Sequence, residues 1–290
     1  SASVSFTQTT NNARGFLEIL VNNSYKWGQE GWGGHMSPAS LINVNPLLTL
    51  EEANASIQPA IEYALAQRTK VVVEDLSLWQ AFFTKSFLQR KRVGVQTSNH
   101  PWKPTDFADP FFTEEDGKEA LVDLISKMIN TYAVNPYIIQ GTPFLYNSST
   151  SAPPAWRNSL WQIGFIAYNA TLETTFSQYE IVNNVTAWMR ELAPDSGAYF
   201  VHVVVPIFSH LLQNAANSYE PDHEVTFWRE NYLTLLQLKN KYNPDKLMDC
   251  WTCREYILSF AFLFARDSLV GWKGAADERH SCYLNISSKF

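Results

Sequence analysis

An α+β fold, an antiparallel sheet with helices packed on one face, is what this sequence predicts, and two observations carry the prediction. Strand-like and helix-like segments follow one another in the order strand, helix, strand, strand, helix, strand through about the first half of the chain, a pattern that suits a sheet backed by a helical layer. The composition can fill the space between those layers, because 46% of the 290 residues are hydrophobic and 14% are aromatic. No internal repeat or low-complexity tract interrupts the pattern.

Taken in order, "SVSFTQ" reads as a strand, Asn12 to Asn23 as a helix and "GWGGHMSPASLINVNPLL" as one or two strands. Its opening "GWGGH" (Gly31 to His35) lacks the spacing and following helix of a dinucleotide fingerprint and reads as a strand bend. In "LTLEEANASIQPAIEYALAQ" Thr49 stands as N-cap with Glu52 three residues on, a capping box, and Pro59 is the one irregularity. "KVVVEDL" reads as a buried strand, Leu78 to Gln89 and Glu114 to Tyr132 as helices, and "NPYIIQGTPFLY" as a strand. After the polar loop "NSSTSAPP" comes another strand in "AWRNSLWQIGFIAYNAT", then a long helix from about Leu172 to Leu192 that stops at Pro194. Finally, "FWRENYLTLLQLKNKYNPD" reads as a single amphipathic helix stopped by Asn243-Pro244. Its stripe runs through Val225, Trp228, Tyr232, Leu235 or Leu236 and Tyr242, and apolar residues off the stripe imply more than one buried face. Asn231 adjoins that stripe. Asparagine is a mediocre helix former, so it is either a surface residue or a positioned hydrogen-bonding group.

Several function classes drop out on composition. The net charge is −6 and the only dense basic run is "QRKR" (Gln89 to Arg92), so no nucleic-acid footprint is present. The longest apolar run, "YILSFAFLFA" from Tyr256, is too short to span a membrane, and "SASVSFTQTT" is no signal peptide. Sequons begin at Asn22, Asn54, Asn147, Asn169, Asn184 and Asn285; six such triplets favour a secreted or secretory-route protein whose signal peptide lies outside this sequence. Of three cysteines, Cys250 and Cys253 form "CWTC" and Cys282 stands apart. That leaves at most one internal disulfide and no four-ligand zinc site, so no metal is expected. A Gly-rich phosphate loop, a nucleophile elbow and His-Glu-x-x-His are all missing.

"ELAPDSGAYF", "NAANSYEPDHEVTFWRENYLTLLQLKNKYNPDKLMDCWTC" and "VGWKGAADERHSCYLNI", in that order, resemble the C-terminal region of fungal berberine-bridge-enzyme-like FAD-linked oxidoreductases, of the vanillyl-alcohol-oxidase and p-cresol-methylhydroxylase superfamily. "NPYIIQGTPFLYNSSTSAPPAWRNSLWQIGF" resembles the strand pair of that family's substrate domain, and "NVNPLLTLEEANASIQP" is similar to fungal members. The resemblance implies a substrate-binding domain over residues 1–195, and over 196–290 a segment that returns to a flavin domain preceding Ser1 and missing here. It also implies FAD as cofactor, a small-molecule alcohol, sugar or amine-like substrate, and dioxygen as the electron acceptor. In such enzymes an Asn-aromatic pair ahead of "L-x-x-K" lies beside the flavin ring, which maps onto Asn231 and Tyr232. Tyr199 and Asn214 match the residues flanking a further tyrosine, replaced here by Ala215. The family's acid/base glutamate falls near Tyr146, a candidate catalyst that otherwise simply packs. Two departures stand out: Arg229 replaces a glycine usual two residues before the Asn, and Thr234 replaces a common basic residue.

Against that pattern, residues 201–213 and 254–269 are interruptions, and both are apolar. They read as non-native inserts, translated intron sequence, or else as an extra strand and an extra helix. Alternatives to an oxidase part are a noncatalytic fragment and a small-molecule binding domain without flavin.

Overall fold

The computed structural model describes residues 1–76, 99–101, 114–140, 159–165, 172–194, 196–197, 202–203, 213–214 and 223–242. The first strand, β1 (Ala2–Ser5), leads into α1 (Thr10–Gln29). Thr9 caps α1 in a reciprocal box, its hydroxyl accepting from the Asn12 backbone at 3.2 Å while its own N–H reaches the Asn12 side chain at 2.7 Å. Phe16, Leu17, Leu20, Val21, Ser24 and Trp27 are buried at helical spacing. That stripe carries α1 six residues beyond the expected Asn23, because buried Ser24 continues the inner face although it is polar.

β2 (Gly33–Ser37) and β3 (Ser40–Val44) form a hairpin, so "GWGGH" is no mere bend: its second half is a regular strand at the middle of the sheet. α2 (Leu50–Ala66) begins with the expected Thr49/Glu52 box, in which Thr49 N–H reaches the Glu52 carboxylate at 2.8 Å. β4 (Val71–Val73) is not a buried strand. It pairs with β1 alone at the sheet's edge and leaves Val72 40% exposed; three consecutive valines resemble a core strand in sequence while serving an edge. The expected helix from Leu78 to Gln89 lies outside the described residues.

Then come β5 (Asn99–Pro101), α3 (Glu115–Tyr132), β6 (Pro136–Gln140), β7 (Trp161–Phe165) and α4 (Leu172–Leu192). The strands make one seven-stranded sheet in the order β4-β1-β3-β2-β6-β7-β5, antiparallel at every pairing. Alternation along each strand sends Ala2, Val4, Leu41, Met36, Ile138, Trp161 and Ile163 to the face that joins the helices in the core. An α+β layer with helices on one face is therefore the observed architecture. The indole N–H of Trp161 donates to the Ser24 hydroxyl at 2.8 Å and the Gln140 amide to the Ser24 carbonyl at 3.1 Å. Those bonds lock the end of α1 onto the sheet.

One cross-sheet row, Ala2, Asn43, Gly34, Gln140, Trp161, lies in register beneath α1. Gly34, at φ 155°, leaves no room for a side chain: a Cβ there would lie 2.2 Å from the Ile42 carbonyl oxygen and 2.6 Å from Asn43 Oδ1.

Candidate functional site

The C-terminal described region departs from the single helix expected over Phe227 to Asp245. It is broken into α5 (His223–Phe227), a 3₁₀ turn (Arg229–Asn231) and α6 (Tyr232–Tyr242). The break falls at Arg229, whose φ of 45° lies in the left-handed region that an L-residue adopts at a cost of about 1–2 kcal/mol. Its guanidinium donates to the Ser196 carbonyl at 2.9 Å, tying the corner to the chain just past α4. Thr226, Phe227 and Trp228 are buried at the same corner, with the two rings edge to face at 5.5 Å. A glycine is usual at this position in the resembling family, and the backbone here takes the conformation that glycine would supply.

The break answers where Asn231 belongs. Its N–H closes the 3₁₀ turn on the Trp228 carbonyl at 2.9 Å, and it immediately precedes the first residue of α6. Asparagine is strongly favoured ahead of a helix and disfavoured inside one, so its placement no longer conflicts with an apolar stripe. Both Asn231 and Tyr232 are half-buried. The Tyr232 ring lies 6.0 Å from that of Trp228, and its hydroxyl is pushed up to about 12 by burial first, then by a hydrogen bond to Glu224 and that carboxylate's charge. It is thus a neutral hydrogen-bonding group over the whole physiological range.

The expectation that this segment buries more than one face fails along α6, although Phe227 and Trp228 are buried at the corner before it. Among the residues of α6 with described burial none is buried: Leu233 is 69% exposed, Leu238 45% and Tyr242 74%, and Val225 in α5 is 56% exposed. Amphipathic spacing fixes which side chains line up, and the neighbouring surface decides whether they are covered.

A second group of polar side chains escaped the sequence reading. On the sheet face opposite the helices, His35 lies exposed on the central strand, paired in register with Ile42 and Ile139. Gln162, opposite Ile139, is buried on this face, and Tyr137 nearby is half-buried with its ionisation driven upward by desolvation. The change from polar His35 to apolar Met36 was the available signal, hidden by the glycines before it.

Asn231 and Tyr232 are thus adjacent at the start of α6. Asn214 lies in the short strand β9 (Gln213–Asn214), which pairs with β8 (His202–Val203) through His202. This pairing brings together the two ends of the 201–213 stretch. Tyr199 and Tyr146 lie outside the described residues, as does 254–269. Among the described residues no three His, Cys, Asp or Glu side chains cluster as a metal site would require.

No protein-family model matches the chain. Its similarity to characterised sequences is nonetheless extensive. It is 30% identical over 260 residues to the FAD-linked oxidoreductase OXR2 of Pyricularia oryzae, covering 87% of this chain and 42% of that protein. It is 29% identical over 281 residues to the FAD-linked oxidoreductase ffsJ of Aspergillus flavipes, covering 82% and 43%. Its homologues are fungal FAD-linked oxidoreductases. Solved structures agree on the fold: a VAO-type flavoprotein of Myceliophthora thermophila superposes with a TM-score of 0.56 at 15% identity, over 84% of this chain and 44% of that one. A BBE-like protein of Physcomitrella patens gives 0.54 at 14% identity, over 84% and 51%. The chain therefore spans less than half the length of these oxidoreductase relatives.

Proposed function

We propose that the chain is the substrate-binding part of a FAD-dependent oxidoreductase, in which a small-molecule alcohol, sugar or amine-like carbon is oxidised and dioxygen takes the electrons. The observation that carries this reading is the broken helix. Asn231 and Tyr232 stand half-exposed at the start of α6, beside apolar side chains that nothing in the described residues covers. An asparagine amide both donates and accepts, and a neutral tyrosine hydroxyl does the same, which suits the alternating donors and acceptors along a flavin ring edge. The described residues offer no comparable cradle for a dinucleotide's phosphates, so the cofactor's binding surface belongs to the part of the relatives that this chain does not span.

FAD, when bound, supplies the hydride acceptor. Around it Asn231 would orient the ring edge and Tyr232 would hold a neutral hydrogen bond, while the sheet face carrying His35 and Tyr137 would bind the substrate. Tyr146 is the proposed acid/base, with Tyr199 and Asn214 as further cofactor contacts, all by resemblance. The secretory route remains part of the proposal, supported by the six sequons.

In the full-length oxidoreductase, Asn231→Ala should slow flavin reduction about tenfold, as befits one lost hydrogen bond of ~1–1.5 kcal/mol. Asn240→Ala, on exposed α6, should leave the rate unchanged. Stopped-flow flavin bleaching measures both, and equal rates for the two variants would return Asn231 to a purely helix-starting role. The 290-residue chain alone should hold no flavin after desalting; a stoichiometric yellow protein would overturn the division of labour proposed here.

A further inference from the structure

We propose that Asn22 carries an N-linked glycan and that Asn184 does not, an assignment that rests on the secretory-route reading above. Three of the six sequons fall on described residues, at Asn22, Asn54 and Asn184, and the structure treats their side chains differently. Asn22 is exposed on the outer stripe of α1, one turn from Glu18 and one turn from Lys26, whose side chains are 51% and 57% exposed. Its amide enters no hydrogen bond among the described residues, in contrast to its neighbour Asn23, which donates to the Ile19 carbonyl at 2.8 Å. The inner face of the same helix is held in the core, so a bulky polar group at Asn22 displaces nothing.

Asn184 is committed inward. Its amide donates to the Tyr132 hydroxyl at 3.1 Å, joining α4 to α3 at a point where the Tyr132 ring stacks on Trp188 at 5.5 Å and Lys127 lies 3.9 Å over that indole. A glycan there would part the two helices. Asn54 is intermediate: half-buried, with its amide donating to the Leu50 carbonyl at 2.8 Å.

Attachment is a group transfer without redox change. The Asn22 amide nitrogen bonds to C1 of a lipid-diphosphate-linked oligosaccharide, the bond from C1 to the diphosphate oxygen breaks, the lipid diphosphate departs, and the amide proton passes to the transferase's base. The structure also sets the timing. Ser24, the third residue of this sequon, is fully buried, its hydroxyl donating to the Leu20 carbonyl at 2.5 Å and accepting from the Trp161 indole at 2.8 Å. A transferase that must grip Asn22 and Ser24 together meets them only before α1 is seated on the sheet, so modification occurs during synthesis, when Asn184 is equally open; what excludes Asn184 is that a chain carrying a glycan there cannot bring α3 and α4 together and is not secreted.

Glycopeptide mass spectrometry on the protein secreted by a eukaryotic host tests the assignment. Expected are a glycan at Asn22, an unmodified Asn184, loss of one glycan from Asn22→Gln at unchanged melting temperature, and an unchanged glycan count in Asn184→Gln. Folded, unglycosylated protein incubated with microsomes and lipid-linked oligosaccharide should remain unmodified; its modification at Asn22 would overturn the timing. A bare Asn22 in protein glycosylated at Asn54 or Asn184 overturns the assignment alone. Protein retained in the cell with no glycan anywhere overturns the secretory reading along with it.

Discussion

The layer built by the described residues from 1 to 194 and the segment 223–242 both carry apolar side chains at helical spacing, and these meet opposite fates. In the first, α1 places five large apolar side chains fully inside, against strands and helices from well down the sequence. In the second, α6 presents Leu233 and Leu238 to solvent. A periodic stripe declares that a face exists to be covered; it does not declare what covers it. The layer contains its own partner, whereas nothing among the described residues covers Leu233 or Leu238 of α6.

The widest separation between the regions should come from truncating one apolar side chain in each. Trp161→Ala, at a fully buried site, should cost about 3–5 kcal/mol, and Leu238→Ala, 45% exposed, less than about 0.5 kcal/mol. Urea unfolding of both variants measures this, and a comparable loss at Leu238 would show that α6 is covered after all. Next in size, Gly34→Ala forces a methyl against the Ile42 carbonyl and Asn43 and should cost about 1–3 kcal/mol, read as a fall in melting temperature.

A pair of variants at Arg229 sharpens the account of the break. Both Arg229→Ala and Arg229→Gly lose the bond to Ser196, but only glycine relieves the positive φ, so the glycine variant should be the more stable by about 1–2 kcal/mol. Equal stabilities would mean that the corner relaxes once the guanidinium is gone. The smallest effect concerns Tyr232. Its folded-state value near about 12 exceeds the ordinary ~10, so the native state retains a proton that the unfolded chain releases. The stabilisation is complete below about pH 10 and disappears as the pH rises to about 12. Tyr232→Phe should flatten the stability profile in that window and leave its slope unchanged at neutral pH, where the only loss is that of the hydroxyl's bond to Glu224.

How far the sequence disclosed this structure depended on whether a signal was local. The Thr49/Glu52 box was legible because both members lie within one turn, and the span of α4 because its ends are marked by composition and by Pro194. The edge position of β4 was not, since pairing partners are set by tertiary order and not by the valines themselves. At the candidate site, Asn231 and Tyr232 were found through resemblance, while the helix break beside them was hidden because arginine gives no sign of a left-handed backbone. His35 was missed for a related reason: the glycines around it made the start of a central strand read as a bend in a strand.

The position of β2 has a consequence for the order in which the molecule assembles. On one side of the sheet β1, β2, β3 and β4 come from residues 2–73, and on the other β5, β6 and β7 come from 99–165. The two groups meet at one seam, where Gly34 pairs with Gln140 and Met36 with Ile138. Loop-closure entropy makes such a distant pairing slow relative to hairpin formation. During synthesis β1 to β4 can therefore pair before β6 exists, and in such a four-stranded sheet the β2 edge, with Met36 and His35, has no neighbour until β6 has emerged. An edge of that kind invites pairing with other chains, so the interval between β2 and β6 is where a chaperone has the most to protect and where slowed translation most endangers yield.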